Sequence, residues 1–423
     1  MCLKILLIRN LRMLLPKRKL PASRKTLLLL FALLWIAGGE VMAQQATLPS
    51  VDSLLHLIEK MQVTEDDFYF KGSFPTYRRY GRSASFKEDN AVFFTGLIAF
   101  TLKELLPDLN AAQRAVCDTI IDRAIQSYAH FRNANGLPTF NFWRVRPPLV
   151  FPNSWFLNHF NETQQLPDDL DDTVILWLSM DPPDSLMKWV KILMGQHANG
   201  ETRWIRNTYR RYRKIPAYST WFGKKMPIDF DFCVLCNVLY FVHEYQLPLN
   251  IHDSASVLLL RQMIEHKEYL KHPGYISPHY GRTSLLLYHA ARLLAKFSIP
   301  ALDTLKPQLL QDARQAYSHA GNWLDSVLLS TAIMRLGGED TPLPRLDNAG
   351  LYHNTTTFFV ASFSAILPGT WKKILLNNQL IKYYFSCPAY RCALYLENLV
   401  LRKSKTLKTP VDRKEELSLP VNE

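Results

Sequence analysis

The chain of 423 residues has no sustained alternation of apolar and polar residues, the pattern expected of a half-buried β-strand. No such pattern lasts longer than a few residues. Apolar residues instead recur at helical spacing, as at Val51, Leu54, Leu55 and Ile58. The sequence therefore predicts an all-α fold.

Several short motifs of common enzyme classes are also missing. The chain has no glycine-rich phosphate loop, no H-E-x-x-H, no G-x-S-x-G and no dinucleotide-binding fingerprint. Their absence excludes the usual sequence signatures of nucleotide-binding proteins, zinc proteases and serine hydrolases. We predict no cofactor and no metal site.

Cysteines are too few for a disulfide framework. One lies in the first 43 residues and five follow, an odd number. Cys233 and Cys236 form a C-x-x-C inside the apolar run 232–242, with no second pair or histidine ligands nearby. We predict that both are buried helix residues, with a local disulfide as the alternative. A disulfide between Cys387 and Cys392 across a proline turn is left open.

The first 43 residues have the features of a secretory signal peptide. Arg24 and Lys25 precede the apolar run 27–37, and residues 41–43 end in a small residue suited to cleavage. The run is short for a membrane span, so an N-terminal membrane anchor is the alternative. We expect export to the periplasm and no transmembrane span in the mature chain.

Much of the basic charge belongs to this leader. The formal net charge is +13 at pH 7, but residues 1–43 hold eight Lys or Arg and one acid, which leaves +6 for the remainder. The mature chain is thus only mildly basic, and we expect no nucleic-acid partner. Translation from Met1 and from Met13 are both left open.

Helices buried on all sides alternate with amphipathic helices. Residues 91–106 are strongly apolar, whereas residues 112–131 carry one apolar stripe. An α/α toroid requires this alternation, because its inner ring is walled on both sides and its outer ring faces solvent. We predict a single toroid of about six helical hairpins over residues 44–402, followed by a disordered charged tail, 403–423. The inner helices are expected to start near residues 88, 169, 229, 282, 322 and 390.

The most distinctive stretch is 166–180, where four aspartates precede an unbroken apolar run. Asp168, Asp169, Asp171 and Asp172 stand directly before it. Carboxylates at this position cap free N–H groups and complement the helix dipole. A carboxylate cluster at the mouth of a buried helix also provides a general acid. The sequence leaves both roles open.

Residues 169–173, Asp-Leu-Asp-Asp-Thr, match the D-x-D-D-T pattern of protonation-initiated terpenoid cyclases. Residues 196–204 are similar to the Q-x-x-x-G-x-W repeat of that group, and Asn-Val-Leu at 237–239 is similar to an inner helix of related toroids. On these residues the chain resembles the terpenoid cyclase/protein prenyltransferase superfamily, in particular squalene-cyclase-like bacterial proteins. The likeness covers roughly residues 60–400 and implies a toroid that handles a lipid or isoprenoid.

The resemblance also implies roles for single residues. Asp171 would be the general acid that protonates an alkene, with Asp169 and Asp172 as its carboxylate neighbours. Aromatic side chains would stabilise cationic intermediates through their ring faces. The aromatic candidates for substrate binding are Trp155, Trp177, Tyr240 and Tyr288.

Two other functions are left open. Helical toroids also host carbohydrate-active enzymes with paired carboxylates, in which Asp229 or Asp231 would partner Asp171. A non-catalytic toroid would bind an anionic ligand through the basic, aromatic-rich segment 203–214, which supplies Arg210 and Arg211 as candidate contacts.

Overall fold

The computed structural model describes residues 48–153, 166–346 and 357–408. The described part of the chain is mostly helical, with 55% helix in 15 α-helices, and carries one small antiparallel sheet of four strands. The predicted helical character is thus confirmed, whereas the prediction of an all-α chain without strands is wrong. The predicted signal peptide and Trp155 lie outside the described residues.

The secondary structure follows one chain order. The helices are α1 Val51–Met61, α2 Phe93–Leu105, α3 Ala111–Ser127, α4 Leu170–Leu178, α5 Asp184–Gln196, α6 Phe232–Glu244, α7 Ile251–Glu265, α8 Glu268–Lys271, α9 Pro273–Ile276, α10 Thr283–Lys296, α11 Pro300–Asp303, α12 Lys306–Ser318, α13 Trp323–Arg335, α14 Gly369–Leu375 and α15 Pro388–Lys408. The strands are β1 Thr76–Tyr80, β2 Lys87–Asp89, β3 Phe359–Ser362 and β4 Lys382–Ser386.

Six helices, α2, α4, α6, α10, α13 and α15, are buried along most of their length. Each begins within five residues of a start that the sequence predicts for an inner helix. They pack in a cyclic order: α2 on α4, α4 on α6, α6 on α10, α10 on α13, α13 on α15, and α15 on α2. The more exposed α3, α7 and α12 pack against α2, α6 and α13 respectively. Each buried helix is packed between two other buried helices, which explains why it is apolar on all sides.

Side-chain caps fix where several of these helices begin. Asp169 caps α4, Asp231 caps α6 and Asn322 caps α13, in each case by accepting a backbone N–H of the first turn. Such caps satisfy N–H groups that have no partner inside the helix. As a result, polar side chains gather at the N-terminal ends of the buried helices.

The sheet has the strand order β2-β1-β4-β3. In its central pair, Tyr77 of β1 lies opposite Ser386 of β4, more than 300 positions along the chain. Three to five residues per strand are too few to show a periodic pattern, which is why the sequence did not reveal them. Their stability comes from pairing with distant residues rather than from a local signal.

The last helix corrects the predicted tail. The sequence suggested disorder from residue 403, but α15 continues to Lys408. Arg402 Nη1 lies 2.7 Å from Asp340 Oδ2, and Lys405 Nζ donates to the Gly338 carbonyl at 2.5 Å. These charged side chains thus bind the end of α15 to the segment that follows α13.

Two further observations concern the described residues. None of their helices is both long and apolar enough to cross a bilayer. Their five cysteines, at positions 117, 233, 236, 387 and 392, are all buried free thiols. The prediction that Cys233 and Cys236 are buried helix residues is therefore confirmed, since both lie in α6.

Candidate functional site

Asp171 is held from two directions by side chains of other elements. Its Oδ1 accepts from Asn237 Nδ2 at 2.7 Å, and its Oδ2 accepts from the Tyr280 hydroxyl at 2.5 Å. Burial raises the pKa of Asp171 to about 7, although both hydrogen bonds act in the opposite direction. The side chain therefore bridges α4 to α6 and to the segment before α10, and its helix cap is supplied by another residue.

Asp169 and Asp172 form a carboxyl pair at the start of α4. Asp169 Oδ1 accepts the Asp172 backbone N–H at 2.8 Å, and both side chains are buried at the start of the helix. Burial raises the pKa of Asp172 well above its usual range, and the nearby charge of Asp169 adds to the rise. Two desolvated carboxyl groups in contact cannot both ionise easily. Ionisation of both carboxyl groups of the pair is therefore unfavourable.

One oxygen of this pair lacks a hydrogen-bond partner. Asp172 is only 1% exposed, and its Oδ1 makes no hydrogen bond in the structure. Asp172 lines a pocket of about 20 Å³ together with Asp169 and Asp171. A buried polar atom without a partner is costly and calls for an explanation, often a functional one.

A larger cavity of about 540 Å³ lies next to this small pocket. The two share Phe142, Asp169, Trp221, His279 and Phe359. Among the described residues that line the larger cavity, Asp169 is the only carboxylate. The other lining side chains are mainly apolar and aromatic, and include Trp143, Val150, Phe151, Leu166, Met226, Phe363, Ile366 and Phe385. The carboxyl pair thus borders an aromatic cavity.

His279 lies beside the same cavity and between two carboxylates. Its Nε2 lies 3.3 Å from Asp229 Oδ2, and its backbone N–H donates to Asp231 Oδ2 at 3.0 Å. Burial opposes protonation, but the Asp229 hydrogen bond and the charges of Asp231 and Asp229 outweigh it and raise the pKa of His279. The imidazole ring stacks on Phe359 and meets Trp221 edge-on.

Asp229 and Asp231 are committed to other partners. Burial opposes ionisation of Asp229, but Lys372, 3.6 Å away, and His279 outweigh it and lower the pKa of Asp229. Asp231 caps α6 and accepts the Ser277 hydroxyl at 2.5 Å. Neither side chain lines the aromatic cavity. The second carboxylate expected of a carbohydrate-active site is therefore absent from the described lining.

Asp168 has a structural environment. Its Oδ2 accepts from Thr139 Oγ1 at 2.5 Å and from Asn133 Nδ2 at 2.6 Å, and its Oδ1 accepts from Asn141 Nδ2 at 3.3 Å. Asp168 therefore fixes residues 133–141 against the start of α4, and so helps to position the cavity wall at Phe142.

The predicted aromatic substrate-binding residues have other contacts. The Trp177 indole N–H donates to the Pro138 carbonyl at 2.9 Å. The Tyr240 hydroxyl donates to Glu104, and the Tyr288 hydroxyl donates to Glu397 Oε2 at 2.7 Å. None of the three lines the aromatic cavity.

The two predicted arginines also lie outside the cavity lining. Arg211 forms an ion pair with Glu268, and its guanidinium lies over the rings of Tyr209 and Tyr212. Arg210 is exposed in a short 3₁₀ turn of the same segment. Arg211 is thus engaged within the protein.

The sequence did not single out Trp221, Phe359 or Phe385 as cavity residues. All three lie outside the buried helices, on a loop or on short strands that pair at long range. No local periodicity marks such positions. A possible signal was the high density of aromatic residues in the non-helical segments, which a helix-based analysis passes over.

Among the described residues, no group of three or more His, Cys, Asp or Glu side chains is arranged to hold a metal ion. No protein-family model matches the chain, and no curated protein or solved structure matches it either. A function for this site therefore rests on its own residues.

Proposed function

We propose that this protein is an α/α toroid that binds an apolar, isoprenoid-like ligand in its aromatic cavity and protonates it. The cyclic packing order of six buried helices supports the toroid. The observation that carries the chemistry is the contact between a buried carboxyl pair, Asp169–Asp172, and an aromatic cavity of about 540 Å³. That volume lies within the range of roughly 300–1,000 Å³ that is usual for small-molecule sites.

The acid in this proposal is the Asp169–Asp172 pair rather than Asp171. Asp171 is already bonded at both oxygens, whereas Asp172 Oδ1 has no hydrogen-bond partner and Asp169 lines the cavity. After a proton leaves the pair, its second negative charge would be stabilised by the His279 imidazolium. Transfer to a carbon–carbon double bond would create a carbocation.

The cavity walls suit such a cation. Aromatic ring faces attract positive charge, and Trp is the most effective of them. Trp143, Trp221 and Phe359 line the cavity, and water would be largely displaced by an apolar ligand. The sequence resemblance to terpenoid cyclases at residues 169–173 agrees with this chemistry, although it rests on a short motif.

The two alternatives receive less support. A glycosidase-type reaction requires a base carboxylate across the cavity from the acid, but Asp229 and Asp231 do not line it. A binding role for segment 203–214 would use Arg211, which is already paired with Glu268. Export of the chain belongs to the proposal as well, and N-terminal sequencing of the secreted protein would test cleavage after Ala43.

The test is proton transfer from solvent to a ligand. The full chain is incubated in D₂O with a series of linear isoprenoids, and the products are analysed by mass spectrometry. Carboxyl protons exchange with solvent, so an isomerised or cyclised product should carry deuterium. Asp172→Asn removes the transferable proton and should reduce turnover by about 10²-fold or more, the scale of a lost general acid.

Binding and control measurements complete the experiment. Quenching of tryptophan fluorescence should show that Asp172→Asn still binds the isoprenoid, and Asp118→Asn, on the exposed face of α3, should retain full turnover. Turnover of oligosaccharides without binding of any isoprenoid would contradict the proposal. So would equal turnover by the wild-type chain and Asp172→Asn.

A further inference from the structure

A second cavity lies on the other side of strand β3. Its volume is about 430 Å³. Successive residues of β3 face different cavities: Phe359 and Ala361 line the aromatic cavity, whereas Val360 lines the second one. Ser362, at the end of the strand, lines both. This arrangement follows from the alternation of side chains along a strand.

The second cavity is basic. Its charged or ionisable lining residues are Arg79, Lys271, His272, Arg282 and Lys382, and no carboxylate lines it among the described residues. These side chains come from β1, from α8 and the residue after it, from the segment before α10, and from β4. Five side chains from three distant regions of the chain, near residues 79, 271–282 and 382, therefore line one cavity. We call it the basic cavity.

Three of these cations have no acidic partner within the described part of the chain. Arg79 donates to the Gly81 carbonyl at 2.8 Å and lies over the Tyr384 ring, and Lys271 donates to the His266 carbonyl at 3.0 Å. Lys382 is half-buried and makes no hydrogen bond through its ammonium group with a described residue. Burial lowers the pKa of Lys382, because desolvation disfavours its charged form.

Arg282 adds further donors. Its Nη1 lies 2.9 Å from Asp325 Oδ1, but neither Nη atom makes a well-formed hydrogen bond in the structure. The ion pair with Asp325 engages Nη1, whereas Nη2 has neither an ion pair nor a hydrogen bond among the described residues. A buried guanidinium donor without a partner is unfavourable, and an oxyanion would satisfy it. Neutral polar side chains complete the lining at Thr357, Ser364 and Asn377, and the Tyr384 hydroxyl, which already donates to Gln379 Oε1 at 2.6 Å, lies there as well.

We infer that the basic cavity binds the phosphate group of an organic ligand. Converging cations without carboxylates favour a multiply charged oxyanion over a single carboxylate. The hollow is also larger than one phosphate group requires, which leaves room for the remainder of the ligand. This inference does not depend on the function proposed for the aromatic cavity.

The test compares two variants that each remove one positive charge. Lys382→Gln removes the unpaired ammonium from the basic cavity, and Lys373→Gln removes an exposed charge from α14, outside the cavity lining. Inorganic phosphate is titrated into the full-length chain in phosphate-free buffer by calorimetry. Phosphatidylcholine vesicles with and without phosphatidic acid form a second arm, read by co-sedimentation. Circular dichroism confirms that both variants are folded.

A built phosphate site predicts one pattern. Loss of a single charge-assisted contact should weaken binding by about tenfold or more in Lys382→Gln. Lys373→Gln should bind like the wild-type chain. Binding of inorganic phosphate with this dependence supports a free phosphate ligand, and the same dependence seen only with phosphatidic acid supports a lipid headgroup. The inference is overturned if neither probe binds, or if both variants bind equally.

Discussion

The two cavities beside β3 differ in almost every property, although neighbouring residues of one strand line them. The aromatic cavity borders buried carboxyl groups of raised pKa, and its described ionisable lining is limited to Asp169, His279 and Lys225. The basic cavity gathers cations and no described carboxylate. The difference shows that the local supply of partners, rather than burial alone, determines which charge a site carries.

Burial has opposite consequences on the two sides. In the carboxyl cluster it raises the pKa of Asp171 and Asp172, which keeps protons on the acids. In the basic cavity it lowers the pKa of Lys382, which makes an anionic partner favourable. Desolvation thus favours the neutral, protonated form of the acids at one site. At the other site it favours an anionic partner for the lysine.

The largest expected effect is the dependence of the free energy of unfolding on pH that comes from Asp171. The pKa of Asp171 rises from 3.8 to about 7 on folding, so its stabilisation is complete below the unfolded pKa and is lost as pH rises through the folded one. The free energy of unfolding should therefore fall by about 4 kcal/mol from this group between about pH 4 and about pH 8. Urea denaturation across that range measures the fall.

Asp171→Asn removes this titration and should flatten the pH profile by about that amount. Asp118→Asn, an exposed aspartate on α3, serves as the matched control and should leave the slope unchanged. Parallel profiles for the wild-type chain and Asp171→Asn would show that the carboxyl group has no raised pKa in the folded protein.

The second effect separates the two cavities by adjacent substitutions in β3. Val360→Glu adds a carboxylate to the basic cavity and should weaken phosphate binding by about tenfold or more, with apolar ligands unaffected. Ala361→Phe reduces the volume of the aromatic cavity and should do the reverse. Calorimetry with phosphate and fluorescence with an isoprenoid measure both. If each substitution impaired both ligands, the cavities would be one site.

The smallest effect is expected at the rim of the aromatic cavity. Lys225 lines it but is exposed, so its charge is screened by water. Lys225→Gln should change the affinity for an apolar ligand by less than about twofold. A larger change, measured by the same fluorescence titration, would mean that the ligand carries a negative charge at the cavity mouth.

The sequence predicted the helices far better than the cavities. The starts of α4, α10 and α13 were found to within one residue, since apolar periodicity and, at α4 and α13, an Asp or Asn cap are local signals. Trp177, Tyr240 and Tyr288 were predicted to bind substrate, but the sequence does not reveal which neighbour a side chain meets. Their hydrogen-bond partners in the structure are Pro138, Glu104 and Glu397 respectively.

The cavity walls escaped prediction for a different reason. Phe359 and Phe385 face each other across the β3–β4 pair, and β4 is held by β1 from the far end of the chain. A short strand is held in place by pairing with a distant strand, so the residues of the short strand alone do not predict its position. The aspartate motif was visible in the sequence. The different contacts of Asp171 and of the Asp169–Asp172 pair were not, because Asp171 accepts hydrogen bonds from the distant residues Tyr280 and Asn237.

The packing of α15 against α1 and α2 has a consequence for how the protein is made. Helices α1 and α2 bury part of their apolar surface against residues that a ribosome adds about 300 positions later. Contacts between residues far apart in the chain slow folding and prolong the exposure of apolar surface. We therefore expect a nascent chain lacking α15 to be protease-sensitive and to depend on chaperones until its synthesis is complete.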